Sequence, residues 1–131
     1  MKRLLCLFTA LALFACSKDE NTAATENELV KLSAAVGVDT VVTSMGTFKY
    51  WKAIAILDRM VIDTCYVVVQ WDAYSAPGNY ETTMRDTVPV MPHQVGSVSH
   101  RSGNVYMNPW FAKEVKVVYA WSKNKLHYFS F

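Results

Sequence analysis

Residues 62–74 read IDTCYVVVQWDAY and are the strongest structural signal in the chain. β-Branched and aromatic residues such as Val67, Val69 and Trp71 suit a pleated strand. The run is apolar at nearly every position, which is typical of a central strand whose two faces are both largely covered. Residues 76–79, APGN, follow it and predict a turn, because Pro and Gly favour turn conformations.

Strand patterns extend in both directions from this segment. Residues 80–90 contain Pro89, which favours an edge position in a sheet. Residues 101–104, RSGN, predict a hairpin turn between two short strands. Further strand-like segments are residues 29–33, 40–45, 95–99, 105–107, 114–121 and 126–131.

About seven short strands separated by turns predict an all-β fold, specifically an immunoglobulin-like β-sandwich. Trp71 would then be the buried Trp that such sandwiches carry on a central strand. A small closed β-barrel is the alternative that fits the same pattern.

Residues 48–57 fit two structures. As a strand, the segment places Phe48, Tyr50, Ile54 and Ile56 on one side. As a helix, Tyr50, Ala53, Ile54, Leu57 and Val61 would share a face, with Thr47 as the N-cap, and the fold would be α+β. We predict a strand, because nearly every neighbouring segment is one.

The last two strand patterns predict a hairpin. Alternation in residues 114–121 places Val115, Val117, Tyr119 and Trp121 on one face. Lys123 and Asn124 then predict the turn into the final strand.

The chain begins with the pattern of a secretory signal. Lys2 and Arg3 precede an apolar run over residues 4–13, which is far shorter than the roughly 20 residues of a membrane-spanning helix. Residues 13–16, LFAC, resemble the lipobox of bacterial lipoproteins. That resemblance implies removal of residues 1–15 and attachment of a diacylglycerol to Cys16, so that the membrane is one partner of the protein.

The next four residues indicate a sorting signal. Ser17, Lys18, Asp19 and Glu20 resemble the surface-export signal of Bacteroidetes-type lipoproteins, in which a Lys and acidic residues follow the lipidated Cys. This resemblance implies lipid anchoring in the outer membrane with display on the cell surface; retention on its periplasmic face is the alternative. Residues 16–28 are polar and predict a flexible tether, and residues 29–131 predict a single domain.

Charge and cysteine content exclude several classes of function. The net charge of +2 comes from Lys2 and Arg3, which lie in the signal, so the remaining chain is neutral. A neutral domain has no electrostatic footprint for nucleic acid. Cys65 would be the only cysteine inside the domain, which leaves no partner for an internal disulfide, and we interpret it as a core residue.

No catalytic residue, metal ligand or cofactor site is predicted. His93, His100 and His127 include no pair at zinc-ligand spacing, and the chain lacks a Gly-x-Ser-x-Gly motif. A small envelope hydrolase remains the alternative, and it requires a Ser and an acid to converge on His100 or His127 in a cleft.

Aromatic residues are the candidates for ligand contact. Trp110 and Phe111 lie beside Pro109, while Tyr74 and Tyr80 flank the predicted turn at residues 76–79. Exposed rings suit stacking on a glycan or packing against a protein partner. The same rings would otherwise cap the core.

Two threonines are candidates for modification. Thr40 and Thr87 lie in DTV triplets that resemble the Asp-Ser/Thr-apolar acceptor of the O-glycosylation system in the same bacterial group. Together these features predict a non-enzymatic cell-envelope lipoprotein that displays a small β-sandwich binding or assembly module. A pilus-like structural subunit is a further alternative.

Overall fold

The computed structural model describes residues 28–106 and 111–131, whose regular structure is entirely β. Glu28, the last residue of the predicted tether, is the first residue of the first strand. The seven strands are β1 (Glu28–Thr43), β2 (Gly46–Leu57), β3 (Cys65–Ala76), β4 (Asn79–Val90), β5 (Gly96–Tyr106), β6 (Phe111–Ser122) and β7 (His127–Ser130).

The strands form two sheets of a sandwich, with the orders β5-β2-β1-β7 and β4-β3-β6. The pairs β1–β2, β2–β5 and β3–β6 match strands A–B, B–E and C–F of an immunoglobulin constant-type sandwich, but β4 pairs with β3 and β7 pairs with β1, unlike strands D and G. The predicted all-β sandwich is therefore confirmed, and the two separate sheets replace the closed barrel of the alternative.

Residues 48–57 belong to a strand, so the helical alternative is wrong. In β2, Trp51, Ala53, Ala55 and Leu57 face the core, and the intervening residues lie on the outer face. The side with Tyr50 and Ile54 is only half-buried. Strict alternation of burial is the signature of a strand with one covered face.

Trp71 lies in the centre of the core, as predicted. Its ring is fully buried and packs against the Trp51 ring of the other sheet, with 5.9 Å between the centroids. Val67 and Val69 are also fully buried, but Tyr66 and Val68 on the opposite face of β3 are only half-buried. The prediction that both faces of this strand are covered therefore holds for one face.

Two predicted hairpins are absent. β5 continues through residues 101–104, which form an irregularity opposite the step from Tyr50 to Lys52 instead of a turn. β7 does not pair with β6; it pairs in parallel with residues 28–31 of β1, because the chain crosses to the other sheet after Ser122. The predicted turns at Pro77 and Gly78 and after Ser122 are both present.

The sandwich has two different ends. The N-terminal end holds the start of β1 at Glu28 and the connections over residues 58–64, 91–95 and 123–126. The hairpin end holds the β1–β2 and β3–β4 turns. The β1–β2 turn projects beyond the core, and the side chains of Val42 and Met45 are 77% and 86% exposed.

Candidate functional site

Aromatic side chains gather at both ends of the outer face of the β4-β3-β6 sheet. Alternation along β3 directs Tyr66 and Tyr74 to this face, near opposite ends of the strand. The middle of the face is polar: Arg85 Nε donates a hydrogen bond of 2.6 Å to Gln70 Oε1. The face therefore carries two aromatic clusters separated by a hydrophilic band.

The hairpin-end cluster consists of Tyr74, Tyr80 and Phe111. Tyr74 is paired with Tyr80 on β4 and with Phe111 on β6. The two tyrosine rings meet edge to face with centroids 5.7 Å apart, and Lys113 Nζ lies 5.0 Å from the Tyr74 centroid. Tyr80 is 52% exposed and Phe111 is 42% exposed, so three of the four predicted contact residues do converge on an accessible surface.

The fourth residue of that prediction, Trp110, lies outside the described residues. The same holds for Cys16 and for the export-signal residues 17–20. The lipid anchor and the surface-export signal therefore stay predictions.

A second group, the N-terminal-end cluster, consists of Tyr66, Tyr119 and Trp121 on this face, together with Tyr128 on β7 of the other sheet and Phe131 directly after β7. Tyr66 and Trp121 stack with centroids 4.9 Å apart, and Tyr119 lies 5.5 Å from Trp121. Tyr119, Tyr128 and Phe131 are each about three-fifths exposed. Residues of β6, β7 and the turn between them form a shallow groove of about 460 Å³ here, with Lys125 as the only charged side chain among the described residues that line it.

The alternation of residues in β6 predicted the wrong face for two members of this cluster, Tyr119 and Trp121, because β6 contains bulges. Val69 pairs with Val117 and Val68 pairs with Tyr119, so one extra residue lies between these two positions of β6. An extra residue reverses which face the following side chains occupy. Val117 is therefore buried in the core while Tyr119 and Trp121 are on the outside, and the prediction that all of them share one face is wrong.

The two candidate glycosylation sites lie on strands. Thr40 is exposed on β1, and Thr87 is half-buried on β4. The preceding acids are engaged: Asp39 accepts hydrogen bonds from Arg101, and Asp86 Oδ2 lies 2.8 Å from His100 Nδ1. Modification of either threonine stays a prediction.

A buried polar cluster joins the loop before β3 to the turn after β6. Asp63 is 4% exposed, and its carboxylate accepts hydrogen bonds from Ser122 Oγ, from Asn124 N at 2.7 Å and from Asn124 Nδ2 at 2.8 Å. Burial opposes ionisation of Asp63, but these bonds and one from the Thr64 amide outweigh it and hold its pKa below 3.8. The ionised Asp63 side chain therefore links the loop before β3 to the turn after β6 through hydrogen bonds.

This cluster brings together the Ser, His and acid that the hydrolase alternative requires, but not in a working arrangement. Ser122 Oγ donates to Asp63, and no hydrogen bond joins Ser122 to His127 in the described part of the chain. His127 Nε2 accepts a bond of 3.0 Å from the Ile62 amide, so it is not free to act as a base. Burial lowers the pKa of His127, although Asp63 and Glu28 oppose that shift.

The remaining reactive side chains have structural surroundings. Cys65 is fully buried, and burial together with the Asp63 charge raises the pKa of its thiol to about 11. A thiol of this kind is a poor nucleophile, which agrees with its interpretation as a core residue. No group of three or more potential metal ligands occurs within residues 28–106 and 111–131.

No described segment forms an apolar helix of the length that crosses a bilayer. Comparison with known protein families, with curated proteins and with solved structures found no match to this chain.

Proposed function

We propose that this chain is a cell-envelope lipoprotein that is anchored through Cys16 and presents a β-sandwich for binding a protein or glycan, without catalysis. The observation that carries the proposal is the hairpin-end cluster. Tyr74, Tyr80 and Phe111 lie at the opposite end of the sandwich from Glu28, where the predicted tether joins. A lipid anchor at Cys16 would leave that end free to meet a partner.

The cluster has the properties of a binding surface. Its rings are held by contacts within the sheet: Lys113 lies against Tyr74, and Tyr80 Oη is 2.9 Å from Thr83 Oγ1. Thr83 Oγ1 in turn donates a hydrogen bond of 2.7 Å to Asp72 Oδ1. Aromatic side chains that are already ordered lose little conformational entropy on binding, and they dominate the energetic centres of interfaces.

The chemistry of the described side chains supports binding over catalysis. Hydrolysis by a serine nucleophile requires an accessible hydroxyl beside a free base. Ser122 and His127 are instead buried and hydrogen-bonded to the loop before β3.

Photo-crosslinking tests the binding site directly. A benzophenone amino acid in place of Tyr80 is expected to give a discrete adduct in intact cells, because the 52%-exposed ring would contact the partner. Immunoblotting before and after irradiation measures the adduct, and digestion with protease or glycosidase identifies its class.

Ser97 provides the control position, since it is exposed on β5 in the other sheet. The same amino acid at Ser97 is expected to give no such adduct. Equal adducts at both positions, or none at position 80, would contradict the proposed site.

Display at the cell surface has a separate test. Protease added to intact cells is expected to degrade the wild-type domain. Changing Lys18, Asp19 and Glu20 together to Ala is expected to leave lipidation intact and protect the domain, because a sorting machine can read only local, extended chemistry next to the anchor. Wild-type protein that is cleaved only after the outer membrane is opened would establish the periplasmic alternative.

A further inference from the structure

The N-terminal-end cluster is separate from the proposed partner site. It lies beside the point where the predicted tether joins the domain, since β7 pairs with residues 28–31 of β1. Tyr128 is directly paired with Leu29, the second residue of β1, and both side chains are exposed. This apolar surface therefore lies, through Tyr128, beside the start of β1, where the segment that leads to Cys16 joins the domain.

Chain length limits how far this surface can be from an anchored Cys16. Eleven residues separate Cys16 from Glu28, and the twelve Cα-to-Cα steps between them span at most about 40 Å when the chain is fully extended. Tyr128 pairs with Leu29, one residue after Glu28. An anchor at Cys16 would thus keep Tyr128 close to the end of a tether of at most about 40 Å.

The composition of the cluster suits a lipid–water interface. Tyr and Trp concentrate at the headgroup level of membranes, where an apolar ring and a polar tip are both accommodated. Lys125 lines the groove, and its ammonium group is complementary to phosphate headgroups.

The ring geometry favours lipid over a stacked sugar. Tyr66 and Trp121 lie at 21° to each other with their faces in contact, so each covers one face of the other. A platform for a sugar needs an open, flat ring face, whereas insertion at an interface needs exposed edges and apolar side chains. Tyr119, Tyr128 and Phe131 supply the latter.

We infer that the N-terminal-end cluster docks onto the headgroup region of the membrane that holds the anchor, with Tyr128 and Phe131 inserted and the hairpin end directed away from the bilayer. The inference rests on the lipid anchor of the proposed function. It adds an orientation: the sandwich stands on its N-terminal end and presents Tyr74, Tyr80 and Phe111 to the surroundings.

The test uses the mature lipidated protein in vesicles of phosphatidylethanolamine and phosphatidylglycerol. A fluorophore on Lys123→Cys reports the N-terminal end, and one on Met45→Cys reports the hairpin end. Cys65 is fully buried and stays unlabelled. Nitroxide-bearing lipids are expected to quench the fluorophore at position 123 severalfold more than the one at position 45.

Variants separate docking from mere proximity. Tyr128→Ser with Phe131→Ser is expected to abolish the extra quenching at position 123, and both positions are exposed enough for the fold to tolerate serine. Val42→Ser with Met45→Ser removes exposed apolar surface from the opposite end and is expected to leave that quenching unchanged.

Flotation of the vesicles distinguishes a failure of membrane docking from a failure of the lipid anchor. Protein that floats with the vesicles but shows equal, weak quenching at both positions would overturn the docking inference and leave the anchor intact. Protein that does not float would contradict the anchor itself, and the docking inference would fall with it.

Discussion

Asp63→Ala is expected to lower the free energy of unfolding by about 3–5 kcal/mol, because it removes a buried, charged acceptor of three hydrogen bonds and leaves the Ser122 hydroxyl buried without one of its partners. Ser122 Oγ and two nitrogens of Asn124 all donate to this carboxylate. A domain of this size is stable by only about 5–15 kcal/mol, so the loss would remove much of its stability. The midpoint of urea denaturation, followed by tryptophan fluorescence, measures the change.

Asp72→Ala is the matched control for this prediction. Asp72 lies on β3, the strand that follows Asp63 in the chain, but it is only half-buried and accepts one hydrogen bond, from Thr83. Its loss is expected to cost about 1 kcal/mol or less. Equal shifts of the two midpoints would show that the Asp63 cluster does not hold the two connections together.

Acid should act on the same cluster. The pKa of Asp63 is lower in the folded protein than its ordinary value of 3.8, so its contribution is fully present above that value and is lost as the pH falls through the folded pKa. The lowered pKa of His127 adds a loss of stability that begins below 6.5, since the unfolded chain takes up that proton first.

Asp63→Asn separates these two contributions. The variant is expected to be less stable than wild type at neutral pH and to show a shallower decline below about pH 4, while the decline that begins near pH 6.5 persists and deepens, because Asp63 no longer opposes the lowering of the His127 pKa. Urea midpoints at a series of pH values measure both limbs. An unchanged slope in the acid limb would contradict the assigned role of the carboxylate.

Cys16→Ala is expected to abolish lipid attachment completely, because the thioether to diacylglycerol can form only on the cysteine sulfur. Each buried methylene contributes roughly 0.8 kcal/mol to membrane binding, so losing several acyl chains would release the protein from the membrane. Metabolic labelling with a fatty-acid analogue measures attachment, and fractionation measures release.

Cys6→Ala is the control, since Cys6 lies inside the apolar run of the predicted signal. This variant is expected to be labelled like wild type. Equal labelling of wild type and Cys16→Ala would refute the lipoprotein interpretation and remove the anchor on which the membrane-docking inference depends.

Of the two aromatic clusters, only the hairpin-end cluster could be predicted from the sequence, because its tyrosines are close together in the chain. Tyr74 and Tyr80 flank a turn at Pro77 and Gly78, and a turn brings its two flanks together whatever the rest of the fold does. The N-terminal-end cluster joins β3, β6 and β7, which are far apart in the chain. No short-range pattern indicates that Tyr66 and Trp121 meet.

The sequence by itself predicted the all-β class and the strand at β3, because β-branched and aromatic residues favour a strand locally, and it favoured a strand for residues 48–57 only through the neighbouring segments. Only the tertiary structure decided which strands pair. It placed β7 beside β1, introduced the bulge that turns Tyr119 and Trp121 outward, and gathered Asp63, Ser122 and Asn124 into one cluster. These outcomes depend on register and partner choice between distant strands, where one extra residue reverses every following side chain.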